Sequence, residues 1–169
     1  KLNGVVCCAG VVETKMLKFS EDDDLQQLFY TNAFSVIRLV RILVQQKLLH
    51  KESSIVIISS ISGVKCGYLG GSIYGATKGA LEGFIKATAL ELAPQKIRVN
   101  TIAPGMIETP LLDDSIIDAD QLEVDKLRYP MKRYGLPEEV GFAAVYLLSD
   151  ASCWITGISL LLDGGYTLN

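Results

Sequence analysis

Short apolar runs alternate with longer amphipathic ones along the chain, and the two kinds of pattern predict different elements. Val5-Val6-Cys7-Cys8-Ala9 and Ile55-Val56-Ile57-Ile58 are apolar at every position rather than at every second one. Runs of this kind belong to strands covered on both faces, as in parallel sheets flanked by helices. Strands are predicted over Gly4–Ala9, Ser54–Ser59, Ile97–Ile102 and Ile158–Leu162. Helices are predicted over Leu25–Leu49, Ile73–Ala93 and Pro137–Leu148, the last with proline in its first turn and Glu138 and Glu139 suiting the helix dipole. Ser20, ahead of Glu21-Asp22-Asp23, reads as the N-cap of a short helix preceding the first long one. The alternation of strand and helix implies an α/β fold, a doubly wound parallel sheet of about four strands, with residues 1–169 as a single domain.

The first strand carries a further expectation. A wholly apolar strand is expected inside a sheet, because a bare hydrophobic edge invites aggregation. The 169 residues also contain no Gly-x-Gly-x-x-Gly turn, although their order matches the second half of a dinucleotide-binding sheet. An N-terminal portion bearing the first βαβ units is therefore expected to be missing from this sequence.

Composition narrows the function classes. The chain is 49% hydrophobic and 21% charged with a net charge of −3, ordinary for a globular protein and unsuited to a phosphate backbone. No nucleic-acid partner is expected. No apolar run reaches the ~18–20 residues of a membrane span and the first residues do not resemble a signal peptide, so a cytoplasmic protein without membrane contact is expected. Cys7, Cys8, Cys66 and Cys153 lack metal-ligand spacing and read as reduced thiols, with Cys7 and Cys8 on opposite faces of a strand. His50, the only histidine, falls at the predicted end of the first long helix. No metal site is expected.

Candidate chemistry begins at Tyr74 and Lys78, four residues apart near a helix start and so on one face. An ammonium group near a phenol stabilises the phenolate, lowering a pKa of about 10 into range for proton exchange with an alcohol or ketone. Upstream, Ile55-Val56-Ile57-Ile58-Ser59-Ser60 places Ser60 at the carboxyl end of a strand, where ligands of open α/β sheets bind and a hydroxyl can polarise a carbonyl. Ser59 and Ser62 read as structural. Downstream, Pro104-Gly105 forms a rigid turn at the next strand's end, open to close approach by a flat ligand.

Together these residues resemble the short-chain dehydrogenase/reductase family across essentially the whole chain. Cys8-Ala9-Gly10 resembles the end of the family's Asn-Asn-Ala-Gly motif, and Asn32 matches its helix asparagine. Ser60, Tyr74 and Lys78 match the catalytic trio, and Pro104-Gly105-Met106-Ile107-Glu108-Thr109 the cofactor-facing loop. Ile155-Thr156-Gly157 and Asp163-Gly164-Gly165 resemble the C-terminal signature. The tail from Ala103 to Asn169 most resembles the 3-oxoacyl-carrier-protein reductases and their broad bacterial neighbours, sugar-alcohol and steroid-type dehydrogenases among them. The resemblance implies a Rossmann-like fold and an NAD- or NADP-dependent enzyme interconverting a small-molecule carbonyl and a secondary alcohol. It implies Tyr74 as general acid/base and Lys78 as the group that lowers its pKa and binds the nicotinamide ribose. Ser60 would orient the substrate oxygen, and Asn32 would hold a water relaying protons from Lys78. Ala9, Gly10, Pro104, Gly105, Ile107 and Thr109 would line the cofactor. It also implies a homo-oligomer, a dimer or tetramer built on the two longest helices.

Three departures accompany the resemblance. Cys7-Cys8 replaces the family's Asn-Asn, thirteen residues separate Ser60 from Tyr74 where one fewer is expected, and the glycine-rich turn is absent. The extra residue predicts a bulge in Gly67-Tyr68-Leu69-Gly70-Gly71. The competing reading is a truncated or degenerate chain serving as a non-catalytic assembly unit, which the intact Asn32, Ser60, Tyr74 and Lys78 oppose. A sugar-nucleotide epimerase or dehydratase fits less well, because the chain ends soon after Asp163-Gly164-Gly165. Residues 106–130, rich in aspartate and glutamate, are expected to form a substrate lid.

Overall fold

The computed structural model describes residues 1–109 and 119–168. Four parallel strands form one sheet in the order β1-β2-β3-β4: β1 Leu2–Cys7, β2 Leu49–Ile58, β3 Arg98–Pro104 and β4 Ser159–Leu162. The crossovers carry α1 Asp22–Phe29 and α2 Ser35–Gln45, then α3 Ile61–Val64 and α4 Ser72–Leu92, then α5 Ala119–Lys126 and α6 Pro137–Leu148. A doubly wound sheet is thus what the sequence pattern builds. Ile55 and Ile57 of β2 pack with Val36, Val40 and Leu43 of α2 and Leu81 and Ile85 of α4. Val56 faces the other way, onto Ala144 and Leu147 of α6. Each side chain of the run Ile55–Ile58 therefore finds a helix, which is why this part of the strand does not alternate.

Several boundaries differ from the sequence expectation. The first long helix ends at Gln45 rather than Leu49, and His50 lies exposed on β2 rather than at a helix end. Lys47 takes a left-handed conformation (φ 52°), Leu48 N–H donates to Leu43 O and Lys47 N–H to Val44 O. That hydrogen-bond pair is the usual glycine-terminated helix stop, built here on a lysine. Ser20 is not the N-cap of α1. Glu21 holds that place, its N–H donating to the Asp24 carboxylate at 2.8 Å. Between α1 and α2 the helix continues through a π-turn, Tyr30–Phe34, which carries Asn32.

Among the described residues β1 pairs only with β2, so its outer edge has no described strand beside it. The combined helix Asp22–Gln45 is long and apolar enough by length and composition to cross a membrane, an exception to the sequence reading. In the fold it carries Arg38 and Arg41 and lies against the sheet through Val36, Val40 and Leu43. Of the expected lid, residues 110–118 lie outside the described residues, and α5 occupies part of the rest.

Buried Arg98 at the start of β3 fastens the two layers. Its guanidinium donates to the carbonyls of Leu147 (2.7 Å) and Ser149 (3.1 Å) and to Ser152 Oγ (2.7 Å). A cation at the C-terminal end of α6 answers the unpaired carbonyls and the negative end of the helix dipole together.

Candidate active site at the carboxyl ends of the strands

Because all four strands are parallel, the loops after β1, β2 and β3 leave the same edge of the sheet. Ser60 follows β2 and caps α3 with extended backbone, accepting a hydrogen bond from Ser62 N–H at 3.2 Å. Gly63 in α3 lies so close to α4 that an added Cβ would fall 2.6 Å from Lys78 C and Cβ. This contact sets the distance between the Ser60 turn and the helix bearing Tyr74 and Lys78.

Lys78 is 5% exposed, and its Nζ donates to Ile58 O at 3.0 Å, 5.8 Å from the centre of the Tyr74 ring. Burial pulls the ammonium pKa down to about 8. The Tyr74 phenol moves up from its ordinary value, because burial outweighs the hydrogen bonding with Ser60. This is the reverse of the lowering that the Tyr-x-x-x-Lys spacing predicts. Desolvation disfavours both charged forms, phenolate and ammonium alike.

Asn32 is fully buried. Its Oδ1 accepts from Val11 N–H at 2.8 Å, and its Nδ2 donates to Val11 O at 2.9 Å and to Thr77 Oγ1 at 3.2 Å. Thr77 in turn donates to Tyr74 O at 2.7 Å. Both amide protons of Asn32 are therefore spent on protein, and what its side chain does in this structure is clamp the loop after β1 to α4. Gly10 in that loop is exposed, and a Cβ there would lie 3.4 Å from both Asn32 Oδ1 and Lys78 Nζ. The bare glycine leaves Lys78 approachable from outside. Ala9 beside it is also exposed.

A second group of predicted residues follows β3. Pro104 ends the strand, and Gly105 N–H donates to Leu162 O at 3.0 Å. Met106 N–H donates to Tyr129 Oη, and Ile107 forms a bridge with Gly135. Thr109 closes the described part of this loop. The described contacts of this group run to Tyr129, Gly135 and Asp163 rather than to Tyr74.

Three participants were not anticipated from the sequence. Thr77 links Asn32 to Tyr74, and its place within Tyr-Gly-Ala-Thr-Lys could have shown it, three residues after Tyr74 on the helix. Tyr68 packs its ring 6.5 Å from that of Tyr74, and Tyr129 supports the Pro-Gly loop. Neither carries a local signal. Among the described residues no group of acidic, histidine or cysteine side chains is placed to hold a metal.

Known proteins resemble the chain in sequence and in fold. A family profile described as enoyl-(acyl carrier protein) reductase matches residues 1–167. The chain is 36% identical to a cyclopentanol dehydrogenase of Comamonas testosteroni, over 100% of the chain and 67% of that protein. It is 35% identical to a 3-oxoacyl-[acyl-carrier-protein] reductase of Bos taurus, over 99% of the chain and 68% of the relative. It thus spans about two thirds of the length of these curated relatives. A short chain dehydrogenase family protein from Francisella tularensis superposes with a TM-score of 0.90 at 27% identity, over 99% of this chain and 72% of that one. Sequence and fold together place the chain in the short-chain dehydrogenase/reductase family.

Proposed function

We propose that the chain carries the catalytic residues of an NAD(P)-dependent oxidoreductase that interconverts a carbonyl and a secondary alcohol. The observation that carries the reading is the buried Lys78 ammonium, held on Ile58 O beneath Tyr74 and left approachable by the missing Cβ of Gly10. Burying a cation without a carboxylate partner is costly, and such groups gather where chemistry needs them. The names of the relatives, cyclopentanol dehydrogenase and 3-oxoacyl-[acyl-carrier-protein] reductase, support the reaction class.

The residues present fit a nicotinamide nucleotide. Ala9 and Gly10 offer open backbone after β1, Lys78 offers an ammonium for a ribose hydroxyl, and Pro104, Gly105, Ile107 and Thr109, at the carboxyl end of β3, would meet the nicotinamide. When bound, the nicotinamide supplies or accepts hydride at the substrate carbon. In the reducing direction the Tyr74 phenol, whose pKa burial raises, gives its proton to the developing alkoxide. Ser60 Oγ, fixed at the cap of α3, donates to the same oxygen and orients it. Lys78 offsets the phenolate charge left on Tyr74, and Asn32 keeps the cofactor loop and α4 in register through Val11 and Thr77.

The test is oxidation of NADH or NADPH against a panel of ketones, with Tyr74→Phe compared to the parent. The variant is expected to lose turnover by three orders of magnitude or more while retaining cofactor affinity. Near-normal turnover in Tyr74→Phe overturns the assignment.

A further inference from the structure

The loop that joins α3 to α4, where the sequence spacing predicts a bulge, shapes a wall beside the candidate active site. Two consecutive glycines allow this shape. Gly70 adopts a left-handed conformation (φ +82°), and a Cβ there would meet Thr14 Cγ2 at 2.9 Å. A Cβ on Gly71 would lie 2.5 Å from the Tyr68 ring, so the ring occupies the space a side chain at 71 would need. Lys15 N–H donates to Gly70 O at 3.0 Å, joining this loop to the segment after β1. Thr14 hydrogen-bonds the Tyr68 hydroxyl. With its hydroxyl engaged there, Tyr68 presents its ring, which packs against Tyr74 on one side and lines an open cleft of about 910 Å³ on the other.

The other walls of this cleft carry exposed apolar side chains beside polar ones, Tyr166 and the Arg128 side chain (64% exposed) among the latter. Leu17 is 66% exposed and Leu69 84%, and Met16 lies beside them. Ser62 and Ser72 add hydroxyls, while Arg128 is engaged with Asp125 at 3.0 Å and stacked 5.2 Å from the Tyr166 ring. Among the described residues no carboxylate or amide side chain lines the cleft. A polyhydroxylated ligand exchanges several water hydrogen bonds on binding and needs such groups to replace them. An apolar ligand needs only surface to cover, and exposed leucines beside an aromatic face provide it.

We propose that Tyr68 is a specificity-determining residue and that the site takes an apolar carbonyl compound in preference to a polyhydroxylated one. The inference rests on the oxidoreductase reading for its chemistry but not for its binding surface. Cyclohexanone and xylulose serve as probes of comparable size. In the full protein with NADH or NADPH, kcat/KM for cyclohexanone is expected to exceed that for xylulose at least tenfold. Tyr68→Phe keeps the ring and the ratio, whereas Tyr68→Ser reduces the ratio about tenfold. Leu69→Ser, at a position too exposed to threaten the fold, moves it in the same direction. Saturation-transfer NMR reads contact without turnover: cyclohexanone is expected to receive magnetisation from the protein, less in Tyr68→Ser, and xylulose little. Equal or better use of xylulose, a ratio unmoved by Tyr68→Ser, or no transfer to cyclohexanone overturns the proposal. Absence of turnover on every ketone, with the NMR pattern as expected, instead overturns the catalytic reading and leaves the apolar site standing.

Discussion

Replacing Lys78 with methionine should make the protein more stable while removing its function. The lysine is buried, its Nζ meets one backbone carbonyl, and burial lowers its pKa from 10.5 to about 8. In the unfolded chain the same group binds its proton at the higher value. Folding below pH 8 therefore carries a penalty, because the native state holds the proton less tightly. At about 1.36 kcal/mol per decade of affinity, the gap from 10.5 to about 8 makes that penalty roughly 3 kcal/mol at pH 7. It fades as the pH rises from 8 towards 10.5, where the native lysine is neutral and the unfolded one is losing its charge. Methionine has a similar unbranched shape and no charge, but it leaves Ile58 O without this donor, a loss of about 1–2 kcal/mol. The net expectation for Lys78→Met is a gain of about 1–2 kcal/mol at pH 7. Urea unfolding of both proteins across pH 7 to 10.5 measures it. The difference between them should shrink and then reverse sign as the pH climbs, because only the parent is relieved. A variant less stable at pH 7, or a difference independent of pH, refutes the reasoning.

Other consequences follow from the same contacts. Gly63→Ala would put a methyl group 2.6 Å from the backbone of α4, and overpacking of this kind costs about 1–3 kcal/mol; thermal unfolding should show it, with turnover falling further because Ser60 moves away from Tyr74. Asn32→Asp keeps the shape but loses both amide protons and turns a carboxylate oxygen towards Val11 O, so a loss of about 3 kcal/mol in urea unfolding is expected, against little change if the clamp is unimportant. The Tyr74 phenol, raised by burial, should titrate at higher pH than an ordinary tyrosine in cofactor-free protein by NMR of ring-labelled tyrosine, with Tyr74→Phe for assignment. Alcohol oxidation, which needs the phenolate, should then quicken as the pH rises into the alkaline range, and a phenol titrating below 9 contradicts this.

The parts of the fold legible in the sequence are those where local pattern and tertiary demand coincide. Ile55-Val56-Ile57-Ile58 reads as a two-faced strand because helices cover both of its faces. Tyr74 and Lys78 share a helix face by spacing alone, and a serine at a strand's end is legible from the run before it. The end of α2 was hidden because Lys47 stands where glycine would announce a stop, and Leu48 and Leu49 prolong the apolar pattern into the next strand. The direction of the Tyr74 shift was hidden for a different reason. Proximity of charges follows from spacing, but the depth of burial that outweighs it comes from the surrounding elements. Tyr68 was hidden because its role depends on two glycines and on Thr14, more than fifty residues away.

The anchors of the site share a property with consequences for how such a protein can change. Lys78 is held by the carbonyl of Ile58, Asn32 by the peptide groups of Val11, and Thr77 by the carbonyl of Tyr74. Each of these partners is main chain, which every amino acid supplies save the N–H of Val11 that proline would lack, and Asn32 adds one side-chain partner, the Thr77 hydroxyl. Substitution at position 58, or at position 11 by any residue but proline, can alter bulk or polarity without deleting the hydrogen bonds to Lys78 and Asn32. The cleft wall at Leu17, Tyr68 and Leu69 consists of side chains alone. Mutation can therefore rewrite the cleft wall while the hydrogen bonds that hold Lys78 and Asn32 are inherited unchanged.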